Sequence, residues 1–469
     1  MRLRKVVAAA VLAALSSSAM AQTLRPDQEA FRGLYKELVE TNTTQSAGSC
    51  TLAAERMAAR LKSAGFADKD ITLFADPSHP KDGGLVAVLK GSSRSAKPML
   101  LLAHIDVVEA KREDWVRDPF TLIEEGGYFY ARGSADDKAQ AAIWTDTLIR
   151  LKQQGTRTKR TIKLALTCGE ETVGAFNGAE WLATNKPDLI AAEFALNEGG
   201  GGRVDKDGKR ALLAMQVGEK TVQNYRLETT NPGGHSSVPR PDNAIYSLAA
   251  AVSKVAAYEF PIQFTDTTRT FFARTALASG GDMGKAITAL LANPDDKAAD
   301  AIVSKDPTFH STLRTTCVAT MLEAGHAMNA LPQRARAVVN CRIFPGVSPD
   351  VVLADLARVV ADPSVSITKI PPVRPMAVPP PLDAKIVGPA EKLAAKHFPG
   401  VPMVPTMSTG GTDAPYLALA NIPTYGVPGI FYEGDGGGVH GLNERIRAQS
   451  LYDGRDYLFD LVKTYANQN

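Results

Sequence analysis

The stretch Met99-Leu100-Leu101-Leu102-Ala103-His104-Ile105-Asp106 is an apolar run of strand length that stops at a histidine and an aspartate two residues apart. Side chains on an extended strand alternate with period two, so His104 and Asp106 point the same way. In an α/β sheet, ligands collect in the crevice at the carboxyl ends of the strands. A metal-bound histidine usually has its second ring nitrogen held by a carboxylate or carbonyl, and Asp106 is placed to be such a partner. A surface turn would use the same two residues, so this stretch alone leaves both readings open.

Later strand ends tip the balance. A strand over 161–167 runs into Cys168-Gly169-Glu170-Glu171. Adjacent glutamates after a buried strand repel each other unless a cation or a shared proton compensates. A strand over 194–196 ends in Asn197-Glu198 and four glycines. Arg132-Gly133-Ser134-Ala135-Asp136-Asp137-Lys138 opens a helix that runs to about Gln154. A helix cap would account for either aspartate singly. Three such ends deliver carboxylates and a fourth delivers His104. That accumulation is hard to ascribe to chance.

At 469 residues the chain is too long for one ordinary core and suggests two or more domains. Hydrophobic content of 44% and charged content of 22% are those of a globular protein in water. The start is basic, with Arg2, Arg4 and Lys5, followed by an apolar run over 6–15 and small residues up to Ala21. This pattern predicts a secretory signal peptide over 1–21, cut near Ala21, and a periplasmic or secreted product. The run is too short to span a bilayer, and no later segment is long and apolar enough. No cysteine follows the cut site, so no stable membrane anchor is expected.

The 53 basic and 50 acidic residues give a charge of +3, and the leader contributes three basic residues and no acid. The mature chain is therefore balanced, which argues against nucleic acid or an acidic membrane surface as partner. Four cysteines, at 50, 168, 317 and 341, are too few for a disulfide scaffold. None has CxxC spacing, so a cysteine zinc site is not expected. Cys317 and Cys341 fall in two neighbouring strands, where a disulfide is open to them.

Helices are expected over 34–39 and 52–61, and strands over 71–74, 85–89, 99–103 and 128–130. From about Gln216 the character changes. A half-exposed strand over 222–229, the loop Gly233-Gly234-His235-Ser236-Ser237 and a helix over 243–258 follow. Polar and helical material then leads to strands over 316–323 and 336–344, a helix over 349–361 and a strand over 364–370. The proline-rich run 371–381 reads as a connection out of this unit. The α/β pattern then resumes to a final helix over 450–466. The simplest topology is an α/β catalytic domain over 22–216 and 371–469, interrupted by a smaller α+β domain over 217–370.

The ordered set HID at 104–106, RGSADDK at 132–138, GEE at 169–171, NEGG at 197–200, GGHSS at 233–237, TGGTD at 409–413 and His440 resembles the co-catalytic zinc exopeptidase and amidohydrolase family. That family includes glutamate carboxypeptidase, acetylornithine deacetylase, succinyl-diaminopimelate desuccinylase, aminoacylase and several dipeptidases. The resemblance covers nearly the whole mature chain. It implies a zinc-exopeptidase-like fold with an inserted lid and dimerisation domain, and two zinc ions per subunit. His104 and Glu198 would bind one ion, Glu171 and His440 the other, and Asp136 would bridge them. Cobalt or manganese suits the same ligands. Asp106 would orient His104, and the Asp136–Asp137 peptide would be cis.

The resemblance also makes Glu170 the general base, taking a proton from the attacking water and passing it to the departing nitrogen. His235 matches the inserted-domain histidine that polarises the scissile carbonyl, often from the opposite subunit of a homodimer. Asn329 and Arg342 match residues that hold the substrate's carboxylate, and an arginine fork suits that group. Gly410, Gly411 and Thr412 would present backbone donors to it. Ala131 and Ala139 stand where many members carry glycine, and 263–313 is longer than a minimal inserted domain needs. The expected activity is a secreted metallopeptidase, a carboxypeptidase or dipeptidase acting next to a free carboxylate. The alternative is an N-acyl-amino-acid deacylase using the same site.

Overall fold

A computed structural model describes residues 24–172 and 174–468. The expected signal peptide lies outside the described residues. Strand Met99–His104 is buried at all six positions. Such a continuous apolar run is what a strand covered on both faces requires. Leu101 and Ala103 join a core under helices Pro26–Glu40, Cys50–Ser63, Lys138–Gln153, Ala384–His397 and Ala448–Ala466. Leu100 and Leu102 face the other way, toward helices Gly178–Asn185 and Ala414–Leu419.

This strand lies inside a ten-stranded sheet. The order is Ile71–Asp76, His79–Leu89, Ile162–Thr167, Met99–His104, Phe194–Asn197, Thr424–Gly426, Arg210–Glu219, Gly201–Val204, Phe431–Tyr432, with Met403–Ser408 paired to Arg210–Glu219. Met99–His104 runs parallel to Ile162–Thr167 and to Phe194–Asn197, and the last of these runs parallel to Thr424–Gly426. Their carboxyl ends therefore share one edge of the sheet. His104, the Gly169-Glu170-Glu171 loop and Glu198 emerge together there.

Among the strands that escape sequence reading are Gly201–Val204, Arg210–Glu219 and Met403–Ser408. The first sits in a glycine run, and Pro405 interrupts the last. Pro405 is tolerated because Met403–Ser408 pairs on one side only, with Arg210–Glu219.

Lys220 alone separates Arg210–Glu219 from Thr221–Thr230, the first strand of a second sheet. That sheet is antiparallel, in the order Thr316–Ala324, Arg334–Ile343, Thr221–Thr230, Val365–Ile370. Arg334–Ile343 alternates between buried and half-buried positions, as a sheet with one covered face should. Tyr225, Val339 and Ile343 pack with Leu248 and Leu356 of helices Ala244–Ala257 and Pro349–Val360. The architecture is thus an α/β layered sheet with a smaller α+β unit inserted, as expected.

The extra length over 263–313 forms four helices, Asp266–Ser279, Gly281–Ala292, Lys297–Val303 and Pro307–Leu313. They share a small core that includes Phe272, Ile287, Leu290 and Val303. Arg274 donates to the Met403 carbonyl at 2.7 Å and to Glu391 at 2.9 Å, which ties this block to the large sheet. Cys317 and Cys341 face each other across paired strands and are bonded. A second disulfide, Cys50–Cys168, spans 118 residues of sequence. It fastens the start of helix Cys50–Ser63 to the residue before Gly169.

Candidate metal centre

His104 ends its strand fully buried. Its Nδ1 lies 3.1 Å from the Asp106 carbonyl oxygen and 3.5 Å from Asp106 Oδ1. The closest orienting contact is therefore backbone, with the carboxylate beside it. The Asp106 carboxylate also accepts the N–H of Glu171 at 3.0 Å and that of Glu170 at 3.4 Å. Asp106 thereby fixes two strand ends at once.

His104 Nε2 faces Asp136 Oδ1 at 3.1 Å and Glu198 Oε1 at 3.8 Å. On the other side, His440 Nε2 faces Asp136 Oδ2 at 3.2 Å and Glu171 Oε2 at 2.9 Å. His104, Asp136 and Glu171 each bring a ligand atom within 4.8 Å of the others, and so do His104, Glu170 and Glu198. The Asp136–Asp137 peptide is cis, as expected. His440 sits at φ 60°, a backbone region that a residue with a Cβ seldom occupies.

Charge is badly balanced here. Burial raises the Glu170 carboxyl well above its ordinary range; His104 opposes this, while Asp413, Glu171 and Asp106 add to it. Glu198 is pushed up in the same way, by burial and by Glu170, Asp137 and Asp136, against His104. Burial works against the charge on His104, yet Glu198, Asp106 and Asp136 raise its pKa well above the usual value. Hydrogen bonds to Asp136 and Glu171 raise His440 to about 10. Asp136 is held low in spite of burial, by its bonds from both imidazoles. A cluster this rich in carboxylates calls for cationic charge. Its imidazole nitrogen and carboxylate oxygen donors are those that divalent zinc, cobalt or manganese accept.

Two residues that sequence reading passed over build the frame. Glu444 is 1% exposed and accepts from Arg132 Nη1 at 2.7 Å and from the N–H groups of Gly133, Ala135 and Asp136 at 3.0, 2.8 and 3.2 Å. Asp413, part of a quoted motif but given no role, accepts from Asn177 Nδ2 at 2.7 Å and from Thr167 Oγ1 at 3.4 Å.

The substrate-side residues are partly assembled. Arg342 is half-buried, and burial followed by the charge of Arg374 lowers its pKa. Its side-chain partner is Asn340 Oδ1 at 3.3 Å, and among the described residues no carboxylate pairs with it. Arg374 comes from the proline-rich run, which sequence reading took for a mere connection. Its Nη1 lies 3.8 Å from where a Cβ on Gly411 would stand. The Gly410 amide donates to Ser408 Oγ at 3.0 Å, and the Thr412 amide to Glu219 Oε1 at 3.0 Å. Of the three expected backbone donors, those two are engaged within the protein in this conformation.

His235 and Asn329 lie together in the inserted unit. Gly234–His235 pairs with Ala330–Leu331, and the Ser236 amide donates to the Asn329 carbonyl at 3.1 Å. His235 is exposed, its Nδ1 bonded to the Ser237 amide at 3.1 Å and hydroxyl at 2.7 Å. Among the described residues, no hydrogen bond or ion pair joins it to the carboxylate cluster.

Comparison with known proteins gives the family. The model of peptidase family M20/M25/M40 matches residues 100–464. The chain belongs to that family. It is 30% identical over 385 residues to the human N-fatty-acyl-amino acid synthase/hydrolase PM20D1, covering 80% of this chain and 75% of that one. It is also 30% identical over 390 residues to a probable carboxypeptidase S-like 2 of Dictyostelium discoideum, covering 81% and 74%. The fold is similar to that of the M20 family metallo-carboxypeptidase Sso-CP2 of Sulfolobus solfataricus, with TM-score 0.70, 18% identity, and 94% and 100% of the two chains covered. As a member of the M20 family, the protein is a metallo-hydrolase. Among the described residues, no helix is long and apolar enough to cross a membrane.

Proposed function

We propose that this protein is a secreted or periplasmic di-zinc hydrolase that cleaves an amide bond next to a free carboxylate. The observation that carries the reading is the two-sided Asp136 carboxylate, with Oδ1 3.1 Å from His104 Nε2 and Oδ2 3.2 Å from His440 Nε2. In this reading His104 and Glu198 hold one ion, Glu171 and His440 hold the other, and Asp136 serves both. Cobalt or manganese would suit the same donors. Bound there, such ions supply Lewis-acid polarisation of the scissile carbonyl and lower the pKa of water.

The chain's own residues do the rest. The Glu170 carboxylate takes a proton from the attacking water and gives it to the departing nitrogen. Asp106 keeps His104 and the 169–171 loop in register through the bonds already described. Arg342 and Asn329 receive the substrate's carboxylate, joined by Arg374 and the Gly411 amide. An arginine fork is suited to that group, and two neighbouring guanidiniums favour an anion between them. His235 polarises the scissile carbonyl, reaching the opposite subunit's site in a homodimer made through the inserted domain over 217–370.

Two acyl partners fit this chemistry. A peptide would make the protein a carboxypeptidase or dipeptidase. An N-acyl amino acid would make it a deacylase, a reading supported by the 30% identity to an N-fatty-acyl-amino acid synthase/hydrolase. The basic and apolar leader supports export, and two disulfides accord with an oxidising compartment. The test is metal analysis joined to an assay of dipeptides and N-acyl amino acids. About two ions per chain are expected, with hydrolysis lost on chelation and restored by zinc. Full hydrolysis after verified metal removal would overturn the reading.

A further inference from the structure

Lys220 joins the two sheets and takes no part in the chemistry described so far. Its amide donates to the Ser408 carbonyl at 3.1 Å, at the start of the loop that carries Gly410, Gly411 and Thr412. The residue is fully buried, and its side chain reaches into the inserted unit. Nζ donates to Ser311 Oγ at 3.2 Å and to Thr316 Oγ1 at 3.4 Å. Thr316 stands directly opposite Arg342 in the pairing of Thr316–Ala324 with Arg334–Ile343. Opposite residues of an antiparallel pair point to one face. Cys341 and Ile343 pack with the helices of the inserted unit, so Thr316 and Arg342 face away from them.

This corner holds positive charge without a counter-charge. Among the described residues, none of Lys220, Arg342 and Arg374 forms an ion pair with a carboxylate. Burial, then the charges of Arg342 and Arg314, lower the Lys220 pKa from 10.5 to about 7. Arg314 is itself matched by Glu259 at 3.2 Å and by Asp300. His310, on helix Pro307–Leu313, is held below its usual pKa by burial, Arg314 and Lys220, against Glu259 and Asp300. Glu219 meets the charge of Arg374 but is kept protonated to about pH 7, chiefly by burial. A lysine buried among hydroxyls and cations sheds its proton near neutral pH unless an anion arrives.

We propose that Lys220 completes the carboxylate-binding group, lending its charge to a substrate anion held by Arg342 and Arg374. The proposal rests on the assignment of those arginines to the substrate's free carboxylate. Lys220 is a positioning residue: it bonds to Thr316 and not to substrate, and its charge reaches the anion past Arg342. A carboxylate arriving there favours the protonated ammonium, and the proton comes from solvent. Coupling is reciprocal, so the proton strengthens carboxylate binding as much as the carboxylate strengthens proton binding. Below about pH 7 the proton is already present and affinity is level. Above it, binding must bring the proton in, so affinity falls by up to about tenfold per pH unit. The substrate's carboxylate, with a pKa of about 3.5, stays ionised throughout.

The test uses metal-loaded Glu170→Gln protein, which holds turnover back, and N-benzoylglycine as the probe. Calorimetric titration from about pH 6 to about pH 9, in two buffers of different ionisation enthalpy, gives affinity and protons taken up. Affinity should be level to about pH 7 and then fall, with up to one proton bound per probe near pH 8. Glu219 titrates in the same range, so Lys220 is read by difference. Lys220→Met removes a buried charge and leaves apolar bulk in its place. It should lose the proton and bind about tenfold or more weakly near pH 6, converging with its parent near pH 9. Glu219→Gln should keep the share that Lys220 contributes. A parent affinity level from pH 6 to 9 would overturn the proposal without any change at Lys220. Equal proton uptake and pH dependence with and without Lys220 would overturn it too. Loss of the Lys220 share, with no amide hydrolysed by the wild-type enzyme, would uphold the anion site and overturn the hydrolytic reading instead.

Discussion

Glu444 Oε1 accepts the backbone N–H of Asp136 at 3.2 Å. The carboxylate that stands between His104 and His440 is thus held, through its own main chain, by a residue four positions beyond His440. Glu444 also closes a buried pair with Arg132 at 2.7 Å, both side chains 3% exposed or less. One side chain therefore sets the separation between Asp136 and the loop that carries His440.

Glu444→Gln should show this. The variant keeps the shape but leaves Arg132 buried without its counter-charge, which typically costs about 3–5 kcal/mol. Urea unfolding should report a loss of that order, together with weaker metal retention on dialysis. Rescue by Glu444→Asp should be partial at best, since the shorter side chain cannot reach all four donors. Unchanged stability and metal content in Glu444→Gln would remove the residue from this role.

Glu170→Gln and Glu171→Gln separate base from ligand. The first should keep metal content while turnover falls by roughly a hundredfold or more. The second removes the partner of His440 Nε2 at 2.9 Å and should empty one of two metal positions. Near-normal turnover in Glu170→Gln, or loss of metal from that variant alone, would reverse the two assignments.

The parts of the site that sequence made legible are those that end a strand or sit in a marked loop. His104, Glu170, Glu171 and Glu198 follow apolar runs, so the ends of those runs mark the residues that cluster in the structure. Glu444 carries no such mark, because its partners are backbone N–H groups 308 to 311 residues away. Arg374 hides in a proline-rich run whose composition says connection. Cys50 and Cys168 meet because helix Cys50–Ser63 packs on strand His79–Leu89, which pairs with Ile162–Thr167. Met403–Ser408 was hidden by Pro405, which only its edge position permits. Local pattern marked the residues that the structure brings together, and long-range packing built what holds them.

Glu219 supplies a pH signature of its own. Burial pushes its carboxyl from 4.5 up to about 7, against hydrogen bonds from the Thr412 amide and hydroxyl. Between these values the folded chain keeps a proton that the unfolded chain has released. The stability associated with Glu219 is therefore fully present below pH 4.5 and lost as pH rises through about 7. Glu219→Gln stays neutral throughout. Measured by denaturant unfolding, its stability relative to wild type should improve by roughly 3 kcal/mol between pH ~4.5 and pH ~8. A relative stability flat across that range would show that Glu219 ionises as a solvated carboxyl does.

His235 decides whether one chain suffices. The residue is exposed, and among the described residues its ring nitrogen bonds to Ser237 and no hydrogen bond or ion pair joins it to the carboxylate cluster of its own chain. If it serves the opposite subunit of a two-fold dimer, a Glu170→Ala chain can still lend His235 to a partner lacking only that histidine. Each mixed dimer then holds one intact site and one doubly damaged site. Random mixing of equal amounts of Glu170→Ala and His235→Ala chains makes half the dimers mixed, so about one quarter of wild-type activity should return. Subunit exchange by co-expression is required, and each parent must be nearly inactive alone. Verified mixed dimers without rescue would confine His235 to its own chain, where closure of the inserted unit would have to bring it to Glu170. A monomeric active enzyme would exclude the shared arrangement outright, and sedimentation of the working enzyme gives that answer independently.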